Sequence, residues 1–90
     1  MKVLITGASS GMGREFARYF DKLDYEVVLV ARRKDKLLEL QKELKKATVI
    51  TMDLSIEENI YELFNKTSDI DILINNAGFG LFGEFTNSPL

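Results

Sequence analysis

Apolar residues recur along this chain in two rhythms, and the rhythms take turns. Short runs rich in β-branched residues, Lys2 to Thr6, Glu26 to Val30, Thr48 to Met52 and Asp71 to Asn75, read as strands. Between them the apolar positions open to helical spacing. Met12, Phe16, Phe20 and Leu23 recur at intervals of four and three, which predicts an amphipathic helix after Gly11. Leu37, Leu38, Leu40 and Leu44 give a second helical stripe, and Ile56, Ile60, Leu63 and Phe64 a third. Ahead of the third, Ser55 followed three residues later by Glu58 is a capping-box pattern, so Ser55 is expected as the N-cap. Glu26 to Val30 is apolar at successive rather than alternate positions, which implies cover on both faces. An order βαβαβαβ with such strands calls for right-handed crossovers and a parallel sheet. The predicted fold class is α/β, a doubly wound parallel sheet with strand order 3-2-1-4.

Open α/β sheets bind ligands where strands hand over to the following segment, and the unusual residues of this chain gather there. The first strand runs into Thr6-Gly7-Ala8-Ser9-Ser10-Gly11-Met12-Gly13. Small residues let backbone approach a diphosphate, and the helix start supplies unpaired N–H groups and a positive dipole end. A tight turn that merely needs glycine is the competing explanation, and the spacing G-x-x-x-G-x-G differs from the G-x-G-x-x-G fingerprint. After the second strand, NAD-binding folds place an Asp or Glu that holds the ribose 2′-hydroxyl. This chain has Ala31, Arg32, Arg33 and Lys34 instead. Cations at a helix start are unfavourable by up to ~1 kcal/mol each. A ligand phosphate would remove the conflict, and a guanidinium fork suits it better than an ammonium. Arg32 carries that expectation, whereas Lys34 reads as a solvated charge beside Asp35.

Asp53-Leu54 follows the third strand and Asn75-Asn76-Ala77-Gly78 the fourth. A turn or capping carboxylate explains Asp53 equally well, and a turn tolerant of positive φ explains the asparagines and Gly78. Asn75 is expected to tie the strand end to its neighbours through amide hydrogen bonds. Two other nucleotide or phosphate folds fail at the same positions. A P-loop needs a lysine in the first loop, where Gly11-Met12-Gly13-Arg14 stands. A phospho-accepting receiver would use Asp53 but also needs acids after the first strand, where Thr6 and Gly7 lie.

Taken in order, these four elements resemble the short-chain dehydrogenase/reductase family: its T-G-x-x-x-G-x-G at Thr6 to Gly13, its NADP-preferring strand end at Ala31-Arg32, its adenine-contacting pair at Asp53-Leu54 and its N-N-A-G at Asn75 to Gly78. The resemblance implies part of a Rossmann fold and an NADP(H) cofactor. In that reading Gly7, Ser9, Ser10, Gly11, Met12 and Gly13 surround the phosphates and ribose, and Arg32 with Arg33 takes the 2′-phosphate. Asp53 would meet the adenine amino group, the Leu54 backbone the ring, and Asn76, Ala77 and Gly78 the nicotinamide-side ribose. One departure is Ser10, where many NADP-preferring members carry a basic residue.

The resemblance further implies an oxidoreductase that moves a hydride to or from a small carbonyl or alcohol substrate. Family catalysis uses a Ser and a Tyr with Lys four residues on, all beyond N-N-A-G. Here Tyr19, Tyr25 and Tyr61 are followed four residues later by Leu23, Leu29 and Asn65, so no catalytic residue is assigned. These 90 residues alone are expected to show no turnover. A catalytically inactive NADP(H)-binding sensor or regulatory module shares every motif and is the alternative reading. Leu81 and Phe82 would wall a substrate pocket, or else belong to a segment that docks only against further helices.

Size and composition narrow the field. At 90 residues the chain is one domain, residues 1–90, and falls short of the six or so strands of a complete dinucleotide-binding fold, so it reads as truncated after the fourth strand. An uncovered sheet edge or face would then favour self-association. With 46% hydrophobic residues and a single proline, disorder is not expected. A net charge of −2 offers no polyanion-binding surface, which argues against nucleic acid. Without cysteine or histidine there is no disulfide framework and neither of the commonest soft metal ligands, so no metal is expected. No apolar run approaches a membrane span, and a cytoplasmic location is the default.

Overall fold

The computed structural model describes residues 1–76. Seven elements alternate along them: β1 (Lys2–Thr6), α1 (Gly11–Lys22), β2 (Glu26–Ala31), α2 (Lys34–Gln41), β3 (Ala47–Thr51), α3 (Glu57–Lys66) and β4 (Ile72–Asn75). All strand pairs are parallel, and the sheet order is β3-β2-β1-β4, as the crossover argument requires. Strand ends differ from the sequence reading by one residue at most: β2 extends through Ala31, β3 runs one residue earlier, and β4 starts at Ile72. Expectations that fall on Ala77, Gly78, Leu81 and Phe82 lie outside the described residues.

Register brings the site together. Thr6 is level with Val30 of β2 and with Asn75 of β4, while Ala31 is level with Thr51 of β3. Parallel strands all point the same way, so Gly7, Arg32, Met52 and Asn76 leave the sheet along a single rim. The central strands earn their continuous apolar sequence by being covered twice. Val3, Ile5, Val27 and Leu29 face α1 and α2, packing with Ala17, Phe20, Leu37 and Leu40. Leu4, Val28, Val30 and Leu73 face the other side with Leu54 and Leu63. Leu37 and Leu40 are fully buried, which stabilises the fold by about 1.5–3 kcal/mol each. β3, with partners on one side only among the described residues, is half-exposed along its length, unlike β1 and β2.

The helices correct the sequence reading in three places. On α1 the buried residues are Gly13, Ala17 and Phe20, with Phe16 partly buried, whereas Met12 is 65% exposed and Leu23, the C-cap, 50%. Small residues let α1 lie close on β1 and β2, so the stripe of large side chains is rotated away from the true contact face. On α2, likewise, Leu38 is exposed and Leu44 lies beyond the helix end. On α3 the N-cap is Ile56, which has no side-chain oxygen to offer, and no side-chain cap bond forms. Ser55 is not the cap: α3 begins one residue later than the pattern implies, and Ser55 lies in the preceding turn with its hydroxyl donating to Asp53 Oδ1. A side-chain cap is worth about 1 kcal/mol to a helix, so α3 forgoes that contribution in favour of the loop before it.

Candidate functional site

A cavity of about 390 Å³ opens at the carboxyl ends of β1, β2 and β3. Its lining comes from every strand end: Gly7, Ser9 and Ser10 after β1; Val30, Ala31, Arg32 and Arg33 at the tip of β2; Met52, Asp53, Leu54 and Ser55 after β3; and Asn76 after β4. Eight of the residues singled out from sequence are thus brought to one place. Gly11, Met12 and Gly13 form the first turn of α1 beside that lining rather than within it. Val30, Met52 and Ser55 were not foreseen as lining. For Val30 and Met52 the signal was available in the register, since each sits one residue from a strand's carboxyl end; Ser55 lies four residues beyond β3.

The glycine loop is held from three sides. Gly7 adopts φ of 63°, a left-handed conformation that costs glycine little and turns the chain toward α1. Ser10 is the N-cap: its Oγ accepts from the Gly13 N–H at 3.2 Å, donates to the Gly7 carbonyl at 2.9 Å and accepts from Asn76 Nδ2 at 2.7 Å. One hydroxyl proton and two lone pairs are then fully used. Ser10 is therefore committed to the loop itself, and Ser9 is the hydroxyl that lines the cavity with no hydrogen bond of its own among the described residues.

The fourth strand secures the same loop. Thr6, 2% exposed, donates its hydroxyl proton to Asn75 Oδ1 at 2.9 Å and accepts the Asn76 N–H at 3.1 Å. Asn75 is structural, as expected. Asn76 Nδ2 also donates to the Gly7 carbonyl at 3.3 Å, so its amide braces the loop. Closest of all is Gly13, where a Cβ would stand 2.5 Å from the Gly7 oxygen and 2.8 Å from Ala8 Cα. A Cβ on Gly11 would meet nothing within 4 Å. The first glycine of that pair is open toward space, and the second is required by the packing of the loop on the helix.

Charge on the rim is unevenly paired. Arg33, the N-cap residue of α2, lies 3.6 Å from Asp35. Arg32 is exposed on the cavity and forms no ion pair within 4 Å among the described residues. Asp53 sits across from it: the Ser55 hydroxyl at 2.6 Å and the Ser55 N–H at 2.9 Å both donate to Oδ1. Those bonds, the hydroxyl's first, hold the Asp53 carboxyl below its ordinary value; partial desolvation opposes them and the nearby Arg32 charge adds to them. The Asp53 carbonyl is fixed as well, by Asn59 Nδ2 at 2.8 Å and the Ile56 N–H at 3.3 Å. Among the described residues no group of acids or other ligands is placed to hold a metal ion, and no helix is long and apolar enough to cross a membrane.

A doubly wound parallel sheet with a glycine loop at a helix N-terminus and a cavity at the carboxyl ends of its strands defines a Rossmann-type nucleotide-binding fold. The chain belongs to the short chain dehydrogenase family, whose model matches residues 1–89, and that family of oxidoreductases works with a nicotinamide dinucleotide. Its sequence is 42% identical over 89 residues to an uncharacterized oxidoreductase of Mycobacterium tuberculosis, covering 88% of this chain and 35% of the relative. It is 40% identical over 86 residues to an NADP-dependent 3-hydroxy acid dehydrogenase of Escherichia coli, covering 90% and 35%. A metagenomic short-chain oxidoreductase solved in complex with NADP superposes with a TM-score of 0.78 at 34% identity, covering 92% of this chain and 41% of that one. The chain thus spans about a third of the length of the curated relatives it matches.

Proposed function

We propose that this chain is the NADP(H)-binding portion of an oxidoreductase acting on a small carbonyl or alcohol substrate. The observation that carries the reading is Arg32, an arginine without an ion-pair partner within 4 Å among the described residues, standing on the cavity at the strand tip where NAD-binding folds place a carboxylate. A guanidinium there supplies parallel donors to a phosphate and repels nothing in it. Arg33 adds positive charge to the same corner even while it pairs with Asp35. The NADP dependence of the Escherichia coli relative and the NADP in the metagenomic structure support the same choice.

The remaining residues fit the rest of such a molecule. Gly7 and Ser9 expose backbone and a spare hydroxyl to a diphosphate at the start of α1, where helix N–H groups favour an anion. The bare Cα of Gly11 keeps that approach open, and Met12, exposed beside it, covers the ribose side. Asp53 and Leu54 take the adenine end, and Asn76 with Ala77 and Gly78 the nicotinamide-side ribose. When bound, the cofactor supplies or accepts the hydride; this chain's residues bind and orient it. None of the three tyrosines contributes to the cavity: Tyr19 and Tyr61 are exposed on helices, and Tyr25 packs on Phe20. The chain's share of the work in this reading is binding, with proton transfer left to other residues.

A titration of the chain with NADPH and with NADH, followed by nicotinamide fluorescence, tests the proposal. NADPH is expected to bind about tenfold to a hundredfold more tightly, the worth of charge-assisted hydrogen bonds to one phosphate. Equal affinities would refute the 2′-phosphate assignment.

A further inference from the structure

We propose that Ser55 is a positioning residue that selects the base of the dinucleotide: by placing both its donors on one oxygen of Asp53, it leaves the other as an ionised acceptor for a purine bearing an exocyclic amine. This rests on the dinucleotide reading above and adds base selectivity to it. Sequence pattern alone would give Ser55 to α3 as its cap, yet the structure spends it on Asp53 and leaves α3 with Ile56. The Ser55 hydroxyl bond, at 2.6 Å, is the shorter of the two to Oδ1. Oδ2 has no hydrogen-bond partner among the described residues. Both residues line the cavity, flanked by Met52 and the buried Leu54, which offer apolar contact to a flat ring.

The chemistry of the carboxylate then decides between bases. An ionised carboxylate is an acceptor only. It receives an N–H from a 6-aminopurine and meets a repelling lone pair on a 6-oxopurine. Ser55 acts on the direction of that acceptor: with both its donors on Oδ1, the carboxylate is held in one orientation and Oδ2 is the oxygen left to receive the amine. Asn59 and Ile56 anchor the Asp53 carbonyl independently of Ser55, so loss of the Ser55 hydroxyl removes the shorter of the two bonds that orient the carboxylate without removing the turn.

The test compares NADPH with its hypoxanthine counterpart, which shares every phosphate and differs only at the base. The unsubstituted chain is expected to prefer the adenine form by roughly tenfold. Ser55→Ala should narrow the preference to about twofold, and Ser55→Thr, which keeps the hydroxyl, should restore it. Asp53→Asn, able to donate as well as accept, should lose the preference even if Ser55→Ala fails to fold. A merely structural Ser55 would show itself as an equal loss of affinity for both forms in Ser55→Ala, and that result overturns the proposal. Equal binding of the two forms by the unsubstituted chain overturns it too, while leaving the NADP(H) reading intact. Binding of neither form would overturn both.

Discussion

Gly13→Ala is expected to abolish cofactor binding and to cost the fold about 3 kcal/mol or more, the upper end for overpacking, because the added methyl would meet backbone rather than a side chain able to move. The methyl would lie 2.5 Å from the Gly7 carbonyl oxygen and 2.8 Å from Ala8 Cα, with Asn76 Nδ2 at 3.1 Å. To make room, the loop must leave α1. That motion breaks the Ser10 hydroxyl bond and the Asn76 brace together, since both converge on the Gly7 carbonyl. Urea denaturation measures the stability loss, and a dinucleotide titration the binding loss. Gly11→Ala is the matched control. Its methyl has nothing within 4 Å, and restricting the unfolded chain should leave stability unchanged or raise it by about 0.4–1 kcal/mol. If Gly11→Ala nonetheless weakens binding, the lost affinity reports on the approach of the ligand and not on the fold. Equal destabilisation by the two substitutions would contradict the division of labour between these glycines.

Arg32→Ala carries the second large effect. Removing the guanidinium should weaken NADPH binding by about 1.5–3 kcal/mol, the worth of a charge-assisted hydrogen bond, and leave NADH binding nearly unchanged. The side chain is exposed and makes no ion pair within 4 Å among the described residues, so its removal leaves no buried charge behind and should not disturb folding. Selectivity and stability are thereby separated in one variant. Arg33→Ala should have a smaller effect on the same ratio, because that guanidinium already shares its charge with Asp35 at 3.6 Å. Parallel losses for NADPH and NADH in Arg32→Ala would mean that the arginine supports the site in general and does not recognise the 2′-phosphate.

Much of this arrangement was legible in the residues, and the reasons differ from place to place. The parallel sheet and its order followed from β2, whose unbroken apolar run admits no solvent face, together with the handedness of crossovers. Arg32 stood out because a cation occupied a position that usually calls for an acid. Less legible was the contact face of α1. Counting large apolar side chains favoured Met12 and Leu23, but close packing of a helix on a sheet is made by Gly13 and Ala17, which such a count passes over. Met12, 65% exposed in the first turn of α1, takes no part in that contact.

Ser55 shows a second kind of failure. A capping box is a local signal, and it was read correctly as serine followed by glutamate at the right distance. It could not show that Asp53, two residues earlier, takes both Ser55 donors and that α3 starts only at Glu57. Asn76 was placed at the ligand, yet its amide is also a brace reaching the Gly7 carbonyl and Ser10 across 66 or more residues of sequence. No spacing rule reveals such a contact, because register between β1 and β4 creates it.

The most direct test is a crystal structure of the chain grown with NADP(H). The account predicts the diphosphate over the first turn of α1 and the 2′-phosphate oxygens within hydrogen-bonding distance of the Arg32 guanidinium. Density for the adenosine phosphate away from the tip of β2, or a dinucleotide bound outside the cavity bounded by Gly7, Arg32, Asp53 and Asn76, would contradict it.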